Sequence, residues 1–436
     1  VALSWGGAVP PADYADADKR QVWTAHHWQH WLARGQFPDH PWRGYLQRSA
    51  LTLKGLTYAP TGAIAAAGST SLPETLGGAR NYDYRFTWIR DATFALWGLY
   101  SLGLEWEAVD FFAFIADLVA GEDDIQIMYG IGGEKELTER ELDHLPGYAN
   151  SRPVRIGNAA YAQKQHDVWG ALLDSVYLHF RAANRLDNRI WQILDKQVGE
   201  ALKYWREPDA GIWEVRGQLQ HFTSSKIMCW VAVDRGAKIA RITGEDGKAA
   251  EWELAAQEIK DDILANGVDE RGVLTQYYGS KALDASLLLA PLVRFLPADH
   301  PIIRATVLAI ADELTIHELV LRYKVEETDD GFAGEEGSFT ICSFWLVSAL
   351  CEIGEYERAR KLCAKLLSFA GELDLYGEEI DPHTGQQLGN FPQAFTHLAL
   401  INAVLHVIKL EGRQHTHSEA GTWAGSMGDG SIGDHQ

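Results

Sequence analysis

Apolar residues recur at i, i+3 and i+4 along most of this chain. Runs of alternating residues are too few to build a sheet, so it can bury its surface only by packing helix on helix. Short turns rich in Gly, Pro, Asp and Asn separate the periodic segments. The spacing predicts helices over 13–35, 43–57, 90–103, 106–120, 158–183, 189–205, 222–243, 248–265, 282–295, 302–316, 337–353, 356–370 and 391–410. The segment 391–410 is apolar almost throughout, as expected of a helix buried on most of its circumference. After an amphipathic leader this leaves about a dozen helices, and an even number of alternating helices can close into a toroid with the more apolar ones inside. The same periodicity would suit an α-solenoid, but no fixed repeat of 34 or 40 residues is present.

Composition narrows the partners. The 436 residues carry 60 acidic and 39 basic side chains, a formal charge of −21. That balance argues against nucleic acid, whose phosphates need a basic face, and favours a neutral or cationic small molecule. No window reaches the 18 or more apolar residues of a membrane span, so no membrane partner is expected. Length alone would allow about three domains, although a toroid of this size forms one. Cys229, Cys342, Cys351 and Cys363 are too scattered for a disulfide framework and read as reduced thiols of a cytoplasmic protein. No signal peptide is visible. Val1–Trp5 reads like the end of a strand, which suggests that the start of a larger protein precedes it. From Glu411 the chain turns Gly-, Ser- and His-rich, and disorder is expected there.

Several signatures of chemistry are missing. His317-Glu318 has Leu321 where a zinc-binding helix needs a second His, Gly130-Ile131-Gly132-Gly133 lacks the Lys of a phosphate loop, and no G-x-S-x-G elbow occurs. No metal site is expected. What remains is carboxylates beside aromatics in connections that lead into helices: Asn81–Asp91, containing Trp88, Arg90 and Asp91; Gly211–Gly217, containing Trp213 and Glu214; and Tyr376–Pro382, containing Glu378, followed by Gly389-Asn390-Phe391-Pro392-Gln393. This combination suits a sugar, because aromatic faces cover the C–H face of a pyranose while Asp and Arg take its hydroxyls. Glycoside hydrolysis needs one protonated carboxyl and one carboxylate. Glu214 beside Trp213 suits the acid, since an apolar neighbour raises its pKa, and Glu378 suits the base.

Plainer readings stand beside these. Trp213-Glu214 is equally a core Trp next to a solvated acid. Glu378-Glu379 is equally a pair favouring a helix N-terminus, and Arg90-Asp91 a structural ion pair and cap. Glu335-Glu336 is a rival carboxylate pair.

These segments, together with Leu145–Asn158, Cys342–Leu346 and Gly389–Leu400, resemble the motifs of glucoamylase-like glycoside hydrolases of family 15. The likeness runs over about residues 40–410. It implies an all-α (α/α)6 toroid of six inner and six outer helices over 41–411, with a preceding linker helix. Residues 1–40 would then be that linker and the remnant of an N-terminal β-sandwich domain, and 412–436 a disordered tail. By the same resemblance Glu214 is the general acid of an inverting enzyme and Glu378 its general base. Arg90, Asp91 and Arg322 hold the glucose at the cleaved bond, and Trp213, Tyr129, Trp88 and Tyr376 stand at the pocket. Val215 departs from the fungal glucoamylases, which place a second Glu there. The runs Pro41–Ser49, Phe222–Trp230 and Val325–Gly331 are similar to the trehalose-cleaving branch of mycobacterial type. That likeness implies a disaccharide substrate, two glucose products, and a dependence on inorganic phosphate and magnesium whose sites the sequence does not locate. It leaves a homo-oligomer open. Exo-cleavage of maltose, isomaltose or dextran ends, or a catalytically dead sugar-binding toroid, are the alternatives.

Overall fold

A computed structural model describes residues 7, 9–10, 13–120, 124–183, 186, 188–215, 217–328 and 337–425. Val1–Trp5 and Glu335-Glu336 lie outside the described residues. The leader forms α1 (Tyr14–Leu32), started by Asp13, whose side chain accepts from the Asp16 N–H at 2.8 Å. Its last turn is pinned where the Trp31 indole donates to buried Glu107 at 2.7 Å.

Among the described residues twelve further helices alternate between two layers. The inner ones are α3 (Ile89–Ser101), α5 (Asp167–Ala183), α7 (Thr223–Thr243), α9 (Leu289–Leu292), α11 (Thr340–Glu352) and α13 (Ala394–Gly425). Each packs on the next in that order, and α13 returns to α3 to close the ring. Outside run α2 (Arg43–Leu56), α4 (Glu105–Val119), α6 (Asn188–Tyr204), α8 (Asp246–Asn266), α10 (Pro301–Glu313) and α12 (Tyr356–Ser368). The expected (α/α)6 toroid is the fold.

Sequence sorts the layers. In α6 the buried residues are Ile190, Ile193, Leu194, Gln197, Val198 and Ala201, one stripe at helical spacing, whereas α11 is buried continuously from Thr340 to Cys351. An outer helix needs one apolar face and an inner one needs nearly all of them. Cys229, Cys342, Cys351 and Cys363 are buried thiols in these layers, with no disulfide among them.

Two of the expected helices need correction. The helix expected over 158–183 starts only at Asp167. Before it the Asn158 side chain caps a 3-10 turn over Ala159–Ala162, and the chain then stays extended so that Gln165 reaches the site. The helix expected over 282–295 is a 3-10 turn, Ala285–Leu288, followed by the single turn of α9, where Pro291 removes a backbone donor. The last helix, α13, runs to Gly425, and Glu411 on it accepts from Arg360 at 2.7 Å.

Residues Ala394–Arg413 of α13, with mean hydropathy 1.3, are long and apolar enough to cross a membrane by composition, contrary to the sequence reading. Thr396, His397, Asn402 and His406 interrupt its apolar run without lowering the average enough. The helix packs against α2, α3, α11 and α12, so its apolar surface is spent inside the ring.

Candidate active site

Short strands and turns gather at the N-terminal ends of the inner helices. β1 (Phe86–Trp88) pairs antiparallel with β2 (Met128–Gly130) and runs directly into α3. β3 (Ser338–Phe339) leads into α11 and pairs with β4 (Glu379–Ile380), which pairs with β5 (Gln387–Leu388) ahead of α13. Between them opens a cleft of about 840 Å³, counting space open to solvent, with Trp88, Arg90, Asp91, Trp213, Glu214, Arg322 and Glu378 all on its walls. Seven of the nine residues expected at the site therefore meet in one place.

Tyr129 and Tyr376 do not line this cleft. In the β1–β2 register Tyr129 stands opposite Thr87, one residue from Trp88, so the period of two turns it to the other face. There it is 2% exposed, and its hydroxyl accepts from the Gln126 N–H at 2.9 Å. Tyr376 is fully buried between α12 and α13. Its hydroxyl donates to the Leu366 carbonyl at 3.0 Å and its ring meets the His397 ring edge-on. Both brace the walls from behind.

Glu214 sits at the end of a tight turn that begins at Gly211 (φ 69°), and it holds a left-handed backbone itself at φ 56°. A non-glycine residue there stores roughly 1–3 kcal/mol of strain, which the packing around it must offset. The conformation aims the carboxyl at the cleft, where the Trp88 indole N–H donates to its Oε1 at 2.7 Å and Arg90 Nη2 lies 3.8 Å away. Burial raises the Glu214 pKa above the ordinary carboxylate range, opposed by Arg90 and the Trp88 hydrogen bond. Arg90 is itself fixed by donating to the Ile212 carbonyl at 3.0 Å and Gln165 Oε1 at 3.1 Å, with Asp91 and Asp167 each at 3.6 Å. Burial, countered by Arg90, pushes the Asp91 carboxyl up to about 7.

Glu378 stands 2% exposed just before β4 and accepts from the Tyr84 hydroxyl at 2.5 Å. Burial raises its pKa well above the ordinary range, the neighbouring charge of Glu74 raises it further, and the Tyr84 hydrogen bond and Arg322 pull it back. Tyr84 and Trp88 meet edge-to-face with ring centroids 5.4 Å apart. One aromatic pair thus presents a donor to each of the two carboxylates. Arg322 lies over Trp213 and Phe339 with its Nη2 3.2 Å from Glu74 Oε2.

Reading by sequence missed Tyr84, Glu74 and Asp284. Tyr84 lay inside a segment already singled out, and its signal was a spacing of four from Trp88. Asp284 accepts the Trp213 indole N–H at 2.9 and 3.1 Å, a partner 71 residues away with no local mark. Among the described residues no group of three or more His, Cys, Asp or Glu is arranged to hold a metal ion. The cleft's carboxylates face arginines instead, Glu74 and Glu379 against Arg322, and Asp91, Asp167 and Glu214 against Arg90. These residues do not fit a magnesium site.

A match to the sequence profile of glycosyl hydrolases family 15 covers residues 41–361 and 356–405. The chain belongs to that family. Among its relatives are the trehalase of Mycolicibacterium smegmatis, 66% identical over 94% of this chain, and that of Mycobacterium tuberculosis, 64% identical over 94%. The chain spans 62% and 61% of the lengths of these two relatives. A trehalase of Thermoplasma acidophilum is 37% identical over 90% of this chain and 67% of its own length. Among solved structures, a bacterial glucoamylase complexed with acarbose superposes with a TM-score of 0.69 at 15% identity, over 91% of this chain and 60% of that one. A wild-type glycosidase superposes with a TM-score of 0.66 at 18% identity, over 87% and 98%. At such identities these two speak for the fold alone, the (α/α)6 toroid.

Proposed function

We infer that this family 15 member is an inverting α,α-trehalase: trehalose and water give one β-glucose and one α-glucose. The observation that carries the reading is the pair of carboxyls on one cleft, Glu378 buried and Glu214 partly so, each held by a donor from the Tyr84–Trp88 pair. The two trehalases more than 60% identical to this chain supply the substrate. Glu214 donates its proton to the bridging oxygen as the C–O bond breaks. Glu378 takes a proton from the water that attacks the anomeric carbon from the opposite face. Inversion requires the two carboxyls to stand roughly 6.5–9.5 Å apart, so that this water fits between base and sugar.

Burial raises both carboxyls, so pKa direction alone does not separate acid from base. The assignment rests on position: Glu214 follows Trp213 in the strained turn, and Glu378 fills the Y-x-E-x-x-D pattern of Tyr376–Asp381. Arg90 and Asp91 on one side and Arg322 on the other take the hydroxyls of the glucose at the cleaved bond, and Trp213 and Trp88 cover its C–H face. No step needs phosphate or magnesium. Buried thiols fit a cytoplasmic, reducing compartment.

The test is glucose release from trehalose beside maltose and isomaltose, with and without phosphate and magnesium, with product anomers followed by NMR during the first turnovers. Trehalose should be cleaved fastest, and equal amounts of α- and β-glucose should appear at the outset. Faster release from maltose would replace trehalose by a glucan end as substrate, and two α-glucoses at the outset would rule out inversion.

Trp213 depends on Asp284, which also caps the turn before α9 through the Ser286 N–H at 2.8 Å. Replacing Asp284 by Ala should cost about 0.5–2 kcal/mol through the lost cap. A wall residue set loose by about 1 Å should lower kcat/KM about a hundredfold. Thermal unfolding and steady-state kinetics measure the two effects separately.

A further inference from the structure

A fourth carboxylate stands in the cleft beside Asp91, Glu214 and Glu378, and the roles given above leave it unused. Glu74 is 2% exposed and lies on the tight loop that follows Pro73, closed where its own N–H donates to the Arg80 carbonyl at 3.2 Å. This loop is sewn to the one carrying Glu378. The Gly389 N–H donates to the Pro73 carbonyl at 2.8 Å, and the Asn390 side-chain oxygen accepts from the Ser69 hydroxyl at 3.0 Å. Asn390 in turn offers its backbone N–H to Glu378. Glu74 Oε2 lies 3.2 Å from Arg322 Nη2, and Glu379 Oε1 lies 3.7 Å from the same nitrogen. The loop therefore brings a buried negative charge up to both the guanidinium and the base.

We propose that Glu74 is a positioning residue of the cleft, fixing Arg322 together with Glu379 and holding a second negative charge beside Glu378. The inference rests on the reading of Glu378 as general base.

Two carboxylates close together in a buried site resist being ionised at once, so each holds its neighbour's proton more tightly. The groups that face Glu378 are Tyr84 from the segment before β1, Glu74 and Arg80 from the 72–81 loop, Arg322 from the connection before β3, and Glu379 beside it on β4. The charge of Glu214 acts on the Tyr84 hydroxyl, the donor to Glu378. Of these, Glu74 is the largest charge acting to raise Glu378, and the Tyr84 hydrogen bond and Arg322 oppose it. A higher pKa makes Glu378 a stronger base towards water, at the expense of its ionised fraction in acid. Glu74 thereby trades activity at low pH for proton-accepting strength near neutrality. The sign is fixed. A base works only when deprotonated, so activity falls as pH drops through the pKa of Glu378, and removing the Glu74 charge moves that limb to lower pH.

The experiment is the pH profile of kcat/KM, which reports the free enzyme, for the wild type, Glu74→Gln and Glu74→Asp. The amide of Glu74→Gln still offers Arg322 an oxygen but carries no charge. Its acid limb should move down by on the order of one pH unit. Glu74→Asp draws the same charge back by one methylene, so its limb should move the same way by a smaller step while KM rises as Arg322 loses its partner. Should Glu74→Gln not fold, Glu74→Asp decides alone. An acid limb left in place in the folded variants overturns the proposal, since a merely structural residue would lower stability or kcat without moving it. Glu378→Gln is run alongside. If it turns over normally, the reading of the base has failed. If it is inactive and the limb stays put, only the role of Glu74 has failed.

Discussion

Replacing Glu378 by Gln should lower kcat on trehalose by a factor of roughly 10²–10⁴, the contribution expected of a positioned general base. The amide is isosteric, so the Tyr84 hydroxyl and Arg322 keep a neighbour and the melting temperature should stay close to that of the wild type. The same change at Glu214 should cost as much on trehalose, because the departing glucose must leave as an alcohol. The two variants separate when the leaving group needs no proton. With α-glucosyl fluoride, Glu214→Gln should recover most of its rate while Glu378→Gln stays slow, since water must still be deprotonated. Equal recovery of both, or recovery of Glu378→Gln alone, would reverse or remove the acid and base roles assigned here.

Gly389→Ala should nearly abolish activity, although no atom of Gly389 takes part in the chemistry. Its φ is +73°, and a Cβ built there would sit 2.7 Å from both Cβ and Oε2 of Glu378. A left-handed alanine costs roughly 1–2 kcal/mol by itself. The clash then obliges Glu378 to move, because the Gly389 N–H is tied to the Pro73 carbonyl at 2.8 Å. A displacement of about 1 Å at a reacting group is worth about a hundredfold in rate. Loss of kcat by that factor with a Tm only modestly reduced is the expected outcome. A folded Gly389→Ala with wild-type kcat would show that Glu378 does not need its present position.

Gly389 also marks where local reading stops. Its neighbourhood was legible as a motif, but the reason for the glycine, a carboxylate eleven residues earlier pressed against it, appears only when β4 and β5 pair. Tyr129 shows the reverse. The family resemblance suggested the pocket, and a strand register one residue out of phase with Trp88 turned it into the core.

By itself, the sequence determined the layered helical fold. Helical periodicity is a local property, and a ring of helices needs only that inner helices be apolar all round, as α11 is, and outer ones on one stripe, as α6 is. It also marked the segments that reach the cleft, because carboxylates set beside aromatics in loops are unusual enough to notice. The tertiary structure alone decided which side chains of those segments face one another. Tyr84 meets Glu378 across 294 residues, and Glu74 meets Arg322 across 248. Charges and hydrogen bonds act through space over a few ångströms, so no spacing along the chain records them, and the electrostatics of this cleft exist only once the ring has closed.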